Sequence, residues 1–328
     1  MTDLLTTLEA FGAPVASLAI IMPFFGSLIR LRANFIPKAT VHLDVEGNIV
    51  RNTRRDAASL FDILARVKII EGWGGLYKGF VPMLLQTCLS MLFIFVALWP
   101  TAIRYDGGIL ETGWLNRLAY LAISLLLGVP AAVLSYRSVA VTTPYRLSFF
   151  RPIRAFRVLL TRTERRRPWM IYATPGLFAA LLFRMAYITL FLDWLKALLV
   201  PGSTGAKFGN IQIIYINSGT VRPMVAVLLF STIIVCPLEV VAVKLAIQRN
   251  HAAPEYNSIS QEPEIEEDSA ASGEYIEYSD EDVIHLRHDS GYPYLGLNDC
   301  VNRVIREEGW GALFRGWWCT ALTLLFVG

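Results

Sequence analysis

The residues of this chain that could do chemistry are the ionisable side chains inside its apolar stretches. Arg184 stands in the middle of one stretch, and Glu239 and Lys244 follow Pro237 inside another. A lipid-facing cation is penalised by at least about 2.5 kcal/mol, so such groups generally face a cavity or a partner. Arg184 could therefore bind an anionic solute in a water-filled cavity, and Glu239 could close an ion pair between helices.

Two other interpretations stay open from the sequence. Arg184 could instead donate a structural hydrogen bond to the backbone or to a lipid phosphate. The charges after Pro237 could instead have reached the membrane surface beyond a kink, since proline removes one helical hydrogen bond and clashes with the preceding turn.

The elements that must position these residues are long apolar helices. The chain is 54% hydrophobic and 17% charged, against about 25% charged for a typical soluble domain. A helix needs about 20 apolar residues to cross a bilayer, so we predict an all-α membrane protein. The candidate spans are 11–29, 80–103, 118–141, 177–200, 221–247 and 317–328. The sixth rises only about 18 Å, so we expect either a half-span or a truncated helix.

A duplicated stretch precedes two of these spans. Residues 60–79 and 297–316 are identical at ten of twenty aligned positions, which indicates a repeated unit. Apolar residues in the first copy have helical spacing, Gly72 stands where a helix usually stops, and Trp73 suits a membrane surface. Each copy therefore predicts a surface helix, a glycine turn and a descent into the bilayer.

Two loops carry opposite charges. Segment 146–167 has eight arginines and one acid, and segment 251–290 has twelve acids and one arginine. The acidic segment cannot bury enough apolar surface to fold, so we expect a disordered insert. The arginine-rich segment could bind anionic lipid such as cardiolipin, or it could be a positive topology signal. Nucleic acid is disfavoured as a partner, since membrane spans flank this loop.

Other classes of protein lack support in the sequence. The four cysteines form no C-x-x-C pair and no Cys/His cluster, so neither a metal site nor a disulfide framework is implied. Without a nucleophile elbow or a phosphate-binding loop, we expect no enzyme activity and no cofactor. The first ten residues carry two acids and no Lys or Arg, so we expect no cleavable targeting segment.

These motifs resemble the mitochondrial carrier family (solute carrier family 25). The family signature is Pro-x-Asp/Glu-x-x-Lys/Arg on an odd-numbered helix, then Glu-Gly-x4-aromatic-Lys/Arg-Gly. Pro237 and Glu239 match the first half, and Lys244 stands two positions late. The second half is matched twice, at Glu71, Gly72 and Gly79 and at Glu308, Gly309 and Gly316.

The resemblance implies a three-fold pseudosymmetric bundle of six helices with short surface helices, here with a truncated sixth helix. The single domain 1–328 would divide into repeats 1–110, 111–205 and 206–328. Both termini are expected on one side of the membrane and the two charged loops on the other. The prolines that mark the odd-numbered helices are Pro23, Pro144 and Pro237.

The resemblance also implies gates. In the family, acids and bases of the three proline motifs pair to close one side of a central cavity. Phe25 and Arg146 stand at two of the three acid positions, so a complete ring is not expected. We expect Glu239 to make one local ion pair, with Arg146 or Arg151. The opposite gate is represented by Asp193 and Lys196.

Solute contacts in the family lie about two turns into the even-numbered helices. By register, the corresponding residues are Gln86, Arg184, Tyr187 and Thr323. One hypothesis is therefore a multi-pass mitochondrial membrane protein that transports an anionic metabolite by alternating access.

The second hypothesis is a non-transporting, carrier-like protein of the mitochondrial outer membrane. It would act with other mitochondrial membrane proteins in fusion, membrane organisation or protein insertion. The lost gate residues and the short sixth helix favour this alternative, whereas the prevalence of transporters in the family favours the first. The sequence does not decide between the inner and the outer membrane.

Overall fold

The computed structural model describes most of the chain. The described residues are 2–38, 42–43, 49–50, 59–93, 114–140, 159–160, 162–192, 194–195, 206–208, 211–213, 218–248, 283–284, 286–287 and 293–327. Several residues of the sequence analysis lie outside them, namely Pro144, Arg146, Arg151, Asp193 and Lys196, together with segment 251–282.

The described part of the chain is mostly helical. Its α-helices are α1 (Thr2–Ala33), α2 (Leu60–Ile70), α3 (Gly72–Leu76), α4 (Phe80–Phe93), α5 (Trp114–Ala140), α6 (Arg162–Arg166), α7 (Leu177–Ala186), α8 (Ser218–Ile247), α9 (Leu297–Glu307) and α10 (Trp317–Val327). A π-helical segment, Tyr187–Leu192, continues α7, and 3₁₀ turns cover Pro168–Ile171 and Trp310–Phe314. Two antiparallel hairpins pair β1 (His42–Leu43) with β2 (Ile49–Val50) and β3 (Ala206–Phe208) with β4 (Ile211–Ile213).

Three helices are long and apolar enough to cross a membrane. They are the segments Pro14–Ala33 of α1, Leu118–Ala140 of α5 and Val225–Ile247 of α8, so the first, third and fifth predicted spans are confirmed as long apolar helices. The second, fourth and sixth predicted spans contain shorter helices in the described residues: α4, α7 with its π-helical continuation, and α10.

Helix α8 lies at the centre of the packing. It contacts α1, α5, α7, α9 and α10, and α1 also packs on α2, α4 and α5. The three long helices therefore contact one another, with shorter helices around them. Val133 of α5, Leu245 of α8 and Val304 of α9 belong to one buried cluster, and Ile29 of α1 packs with Ile63 and Val67 of α2 in another.

The first surface helix follows the sequence prediction closely. Ser59 and Asp62 form a capping box at its start, with bonds of 3.1 and 3.2 Å, and these satisfy two backbone donors. The helix ends before Gly72, whose φ of +70° lies in the left-handed region. Trp73 and Trp310 are 66% and 69% exposed, as expected of side chains that contact a membrane surface.

The end of the acidic insert corrects one expectation. Val283 and Ile284 are buried against the α1–α2 cluster. Further along, the Tyr294 N–H donates to the Gln248 carboxamide at 2.9 Å, and that carboxamide donates back to the Tyr294 carbonyl at 3.1 Å. The predicted disordered insert is therefore packed against the bundle at this apolar pair, while most of its other residues lie outside the described ones.

Asp299 at the start of α9 gives a pH-dependent prediction. It accepts hydrogen bonds from the Leu295 N–H at 3.0 Å and from Arg303 Nε at 2.9 Å. These hold the pKa of Asp299 below its usual range, with the backbone bond as the larger cause. A depressed folded pKa contributes stability that is present above the unfolded pKa of about 4 and is lost as the pH falls through the folded value.

We therefore expect the wild type to melt slightly above Asp299→Asn at neutral pH, and the two melting temperatures to converge below about pH 4. Thermal unfolding across a pH series in detergent measures this. A difference that stays constant across the series would show that Asp299 acts through something other than its charge.

Candidate functional site

Three buried ion pairs join the long helices to the segments that follow them. In each long helix, a cation stands seven residues after a proline, at Arg30 after Pro23, Arg137 after Pro130 and Lys244 after Pro237. Each cation contacts one glutamate further along the chain. The pairs are Arg30–Glu71 at 2.5 Å, Arg137–Glu164 at 2.6 Å and Lys244–Glu308 at 2.5 Å.

Two of these cations also tie the helix ends to one another. Arg30 Nε donates to the Val139 carbonyl of α5 at 3.1 Å, and Arg137 Nε donates to the Ala246 carbonyl of α8 at 2.9 Å. Carbonyls in the last turn of a helix lack an intrahelical partner, so each arginine satisfies one on the next long helix. The carboxyl ends of α1, α5 and α8 are therefore held together.

This arrangement offers a second candidate for the proline of the middle third of the chain. Pro130 precedes Arg137 by seven residues, and Arg137 pairs with a glutamate as Arg30 and Lys244 do. The residue two positions after Pro130 is Ala132. Pro144 precedes Arg151 by the same seven residues, but both lie outside the described residues, so the spacing alone does not separate the two prolines.

Glu164 and Gly176 correspond to the glutamates and glycines that follow the other two long helices. Glu164 pairs with Arg137 although no glycine follows it. Gly176, at φ +76°, directly precedes α7 as Gly79 precedes α4 and Gly316 precedes α10, and those two glycines have φ values of +85° and +71°. All three shorter apolar helices therefore begin after a left-handed glycine.

The central cluster of the molecule is built around Glu239. Its Oε2 accepts from Arg32 Nη2 at 2.7 Å and from Thr320 Oγ1 at 2.8 Å. Its Oε1 accepts from Arg184 Nε at 3.0 Å and lies 2.9 Å from Arg184 Nη2. One carboxylate on α8 thus joins α1, α7 and α10.

The described partners of Glu239 are two cations that the sequence analysis did not pair with it. They are Arg32 and Arg184, whereas the predicted partners, Arg146 and Arg151, lie outside the described residues. Register within one helix could not reveal this, because both cations approach from other helices. The sequence left two interpretations of Arg184 open, a cavity that binds an anionic solute and a structural hydrogen bond to the backbone or to lipid. The ion pair with Glu239 adds a third, a structural ion pair inside the bundle.

The cluster carries an excess positive charge. Two arginines share one carboxylate, so the three side chains together bear one net positive charge. The Arg184 side chain is 30% exposed, against 5% for Arg32, and Arg184 Nη1 contacts no acceptor among the described residues. Arg184 is therefore the open side of the cluster.

The other predicted solute contacts are only partly brought together. Tyr187 lies one turn beyond Arg184, and its hydroxyl bonds to Ser231 of α8 at 3.0 Å. Gln86 faces α5 close to Gly128, and Thr323 donates to the Thr320 carbonyl of its own helix at 2.8 Å. Among the described contacts, none joins Gln86 or Thr323 to Arg184.

An apolar groove of about 590 Å³ runs along the π-helical segment after α7. The rings of Tyr187 and Phe191 stack in it with their centroids 5.0 Å apart. A π-helical segment often marks a functional position, and here it lies next to Arg184. The groove is lined by Phe183, Ala186, Tyr187, Leu190, Phe191 and Trp194.

Two further glutamates each contact two cations, so positive charge is in excess around them as well. Glu71 contacts both Arg30 and Lys78, and Glu308 contacts both Lys244 and Arg315. Burial lowers the pKa of Lys78, an effect that the Glu71 carboxylate opposes. Each of these acids is thus outnumbered by its cations.

Comparison with models of protein families finds no match for this chain. No curated protein sequence matches it either.

Proposed function

We propose that this chain is a multi-pass mitochondrial membrane protein with the six-helix carrier bundle, and that it transports an anionic metabolite by alternating access. Its six helices are α1, α4, α5, α7, α8 and α10. The observation that carries the proposal is the sharing of Glu239 between Arg32 and Arg184. An unbalanced cation inside an apolar bundle is costly, and a bound anion offsets that cost.

The electrostatics of the bundle support the same solute class. The pairs around Glu71 and Glu308 each carry one net positive charge, as the Glu239 cluster does. Clefts lined by one sign of charge raise the local concentration of counter-ions. Anions are therefore drawn toward the end where the long helices converge, and the arginine-rich segment 146–167 would bind anionic lipid.

The proposed cycle uses the two kinds of ion pair differently. The three buried pairs at the ends of the long helices keep each repeat intact. The Glu239 cluster lies between repeats, since it joins α1, α7 and α8. A solute anion that binds Arg184 competes with Glu239, which loosens α7 from α8 and lets the helices move about kinks such as that at Pro237.

We expect Arg184→Ala to abolish anion uptake in reconstituted vesicles while the protein remains folded. Arg184→Lys should retain weak uptake, because lysine keeps the charge but loses the planar fork. The matched control is Arg303→Ala, which removes an arginine on the surface helix α9. Uptake of a panel of radiolabelled mono-, di- and tricarboxylates, phosphate and nucleotides provides the measurement.

Undiminished uptake by Arg184→Ala would contradict the placement of the solute at Arg184. Absence of uptake of every solute by the wild type would contradict transport itself. The helical content of each variant, measured by circular dichroism, separates both results from a failure to fold.

The second candidate is a non-transporting carrier-like protein that acts in fusion, membrane organisation or protein insertion. One observation favours it: two nitrogens of Arg184 already face the Glu239 carboxylate, so the pair satisfies itself without a solute. On this reading the cluster only stabilises the bundle. In that case the wild type would transport none of the panel, and Glu239→Gln would lower the melting temperature.

A further inference from the structure

We propose that Arg32, Thr320 and Arg184 form a receptor for a carboxylate group, that Glu239 is its built-in occupant, and that the solute is a carboxylic acid whose carboxylate displaces Glu239 from Arg184. The receptor stands on the geometry, and the identity of the solute rests on the proposed function. The two parts are therefore tested by different measurements.

The receptor has the donor pattern that a carboxylate needs. Each oxygen of Glu239 faces two donor groups, Arg32 and Thr320 at Oε2 and two nitrogens of Arg184 at Oε1, at distances of 2.7 to 3.0 Å. Charge-assisted bonds to a planar guanidinium are strong and specific for such planar oxyanions. These four contacts match the lone-pair capacity of one carboxylate.

The donors do not depend on the helix that carries Glu239. Arg32 is on α1, Arg184 on α7 and Thr320 on α10, and Arg32 and Thr320 are buried by packing. Removal of the Glu239 side chain would therefore leave two neighbouring cations and a hydroxyl around a space of carboxylate size. Such a site strongly favours an incoming anion, because two buried cations without a counter-charge are costly.

The donor count favours carboxylates over larger oxyanions. A phosphate or sulfate would bring further oxygens into the site, and no other described residue donates to Glu239. A buried oxygen without a donor costs about 1–3 kcal/mol. A carboxylate that fills the site emptied by removal of the Glu239 side chain leaves no oxygen unsatisfied, so we assign the receptor to this class.

Exposure sets the order of the exchange. Arg184 is the exposed side of the cluster and Arg32 the buried one. A solute carboxylate meets Arg184 first and takes over its two nitrogens, while Glu239 keeps Arg32 and Thr320 through its other oxygen. No charge is left unpaired during this exchange. The product has two cations and two carboxylates, so the excess positive charge is neutralised.

The test is chemical rescue of Glu239→Ala in detergent solution. Formate or acetate at about 100 mM should raise the melting temperature of Glu239→Ala by roughly 2 to 4 °C above an equal ionic strength of chloride. The isosteric Glu239→Gln should respond less than Glu239→Ala, because its side chain fills the space. The wild type should also respond less, because a free carboxylate must compete with Glu239 for Arg184. Glu307→Ala is the matched control, since among the described residues this glutamate pairs with a single arginine, Arg287.

Each result decides the matter. A response to formate that chloride and phosphate do not produce supports the receptor. An equal response to phosphate overturns the carboxylate assignment. If formate, acetate and phosphate all act as chloride does, the receptor itself is overturned. If Glu239→Ala does not fold in chloride, recovery of monodisperse protein by purification in formate supports the proposal, and failure in both salts overturns it.

These outcomes are independent of the uptake assay. A rescued Glu239→Ala in a protein that transports nothing would leave the receptor standing without the transporter. Uptake without rescue would leave the transporter standing without this receptor. If both hold, carboxylates of the panel should be the transported solutes, and phosphate should not be.

Discussion

Arg137→Ala should destabilise the protein by about 3–5 kcal/mol, which is a large part of the stability of a typical domain. Both side chains of the Arg137–Glu164 pair are nearly inaccessible to solvent, at 3% and 0% exposed. The guanidinium also donates to the carbonyls of Leu159, Ala246 and Gln248. Alanine would leave a buried carboxylate and several carbonyls without this partner.

Surface and buried pairs give a matched comparison. Arg303 pairs with Asp299 on α9 at 2.9 Å with both side chains partly exposed, so Arg303→Ala should cost less than about 1 kcal/mol. Thermal and denaturant unfolding of the purified proteins measures both changes. A double variant, Arg137→Met with Glu164→Leu, should recover much of the loss, because apolar residues of similar volume often replace a buried pair without penalty.

Equal effects of Arg137→Ala and Arg303→Ala would contradict the structural role of the buried pair. A double variant no better than Arg137→Ala would show instead that the lost carbonyl bonds dominate. The first result would weaken the view that Arg137 holds the ends of α5 and α8 together, whereas the second would support it, because the Ala246 and Gln248 carbonyls lie at the end of α8.

Local patterns predicted the parts of the fold that depend on local interactions. The three long helices and the glycine turn at Gly72 are confirmed, because apolar length and left-handed glycine geometry are properties of short segments. The pairing of Glu164 with Arg137 was not predicted. Glu164 lacks the following glycine that marks Glu71 and Glu308, and the sequence analysis took its proline motif at Pro144, which lies outside the described residues.

The candidate site could be predicted only in part. Arg184 and Glu239 were each identified as charges that need a partner, since both stand in apolar stretches. Their pairing was not predicted, because they are 55 residues apart on different helices, and Arg32 is 207 residues from Glu239. Sequence spacing reports neighbours on one helix, whereas this cluster depends on how α1, α7, α8 and α10 pack.

The position of Arg184 also depends on a contact between the start of α7 and the start of α9. Helix α7 begins at Leu177, and Gly176 directly before it lies against the backbone of Gly296 and Leu297 at the start of α9. The start of the helix that carries Arg184 therefore packs against the start of α9. A change at Gly176 should move α7, and with it the open side of the Glu239 cluster.

Gly176→Ala should accordingly be the most damaging of the glycine substitutions before the shorter helices. A Cβ at this position would lie 2.3 Å from the Leu297 nitrogen and 2.7 Å from the Gly296 carbonyl carbon. Both are backbone atoms, so relief requires a shift of α7 or α9 rather than a side-chain rotation. The φ of +76° adds a conformational penalty. From the steric clash and this penalty together, we expect the free energy of unfolding to fall by about 2–4 kcal/mol.

Gly72→Ala separates the two contributions. Gly72 has nearly the same φ, +70°, but a Cβ there would meet nothing within 4 Å, so only the conformational penalty of about 1–2 kcal/mol applies. Thermal unfolding should therefore rank Gly176→Ala below Gly72→Ala, which should lie below the wild type. Anion uptake, if the proposed function holds, should fall for Gly176→Ala and persist for Gly72→Ala, because only the first displaces the helix of Arg184. Equal melting temperatures for the two variants would show that α7 and α9 separate easily at Gly176, and α9 would then not position Arg184.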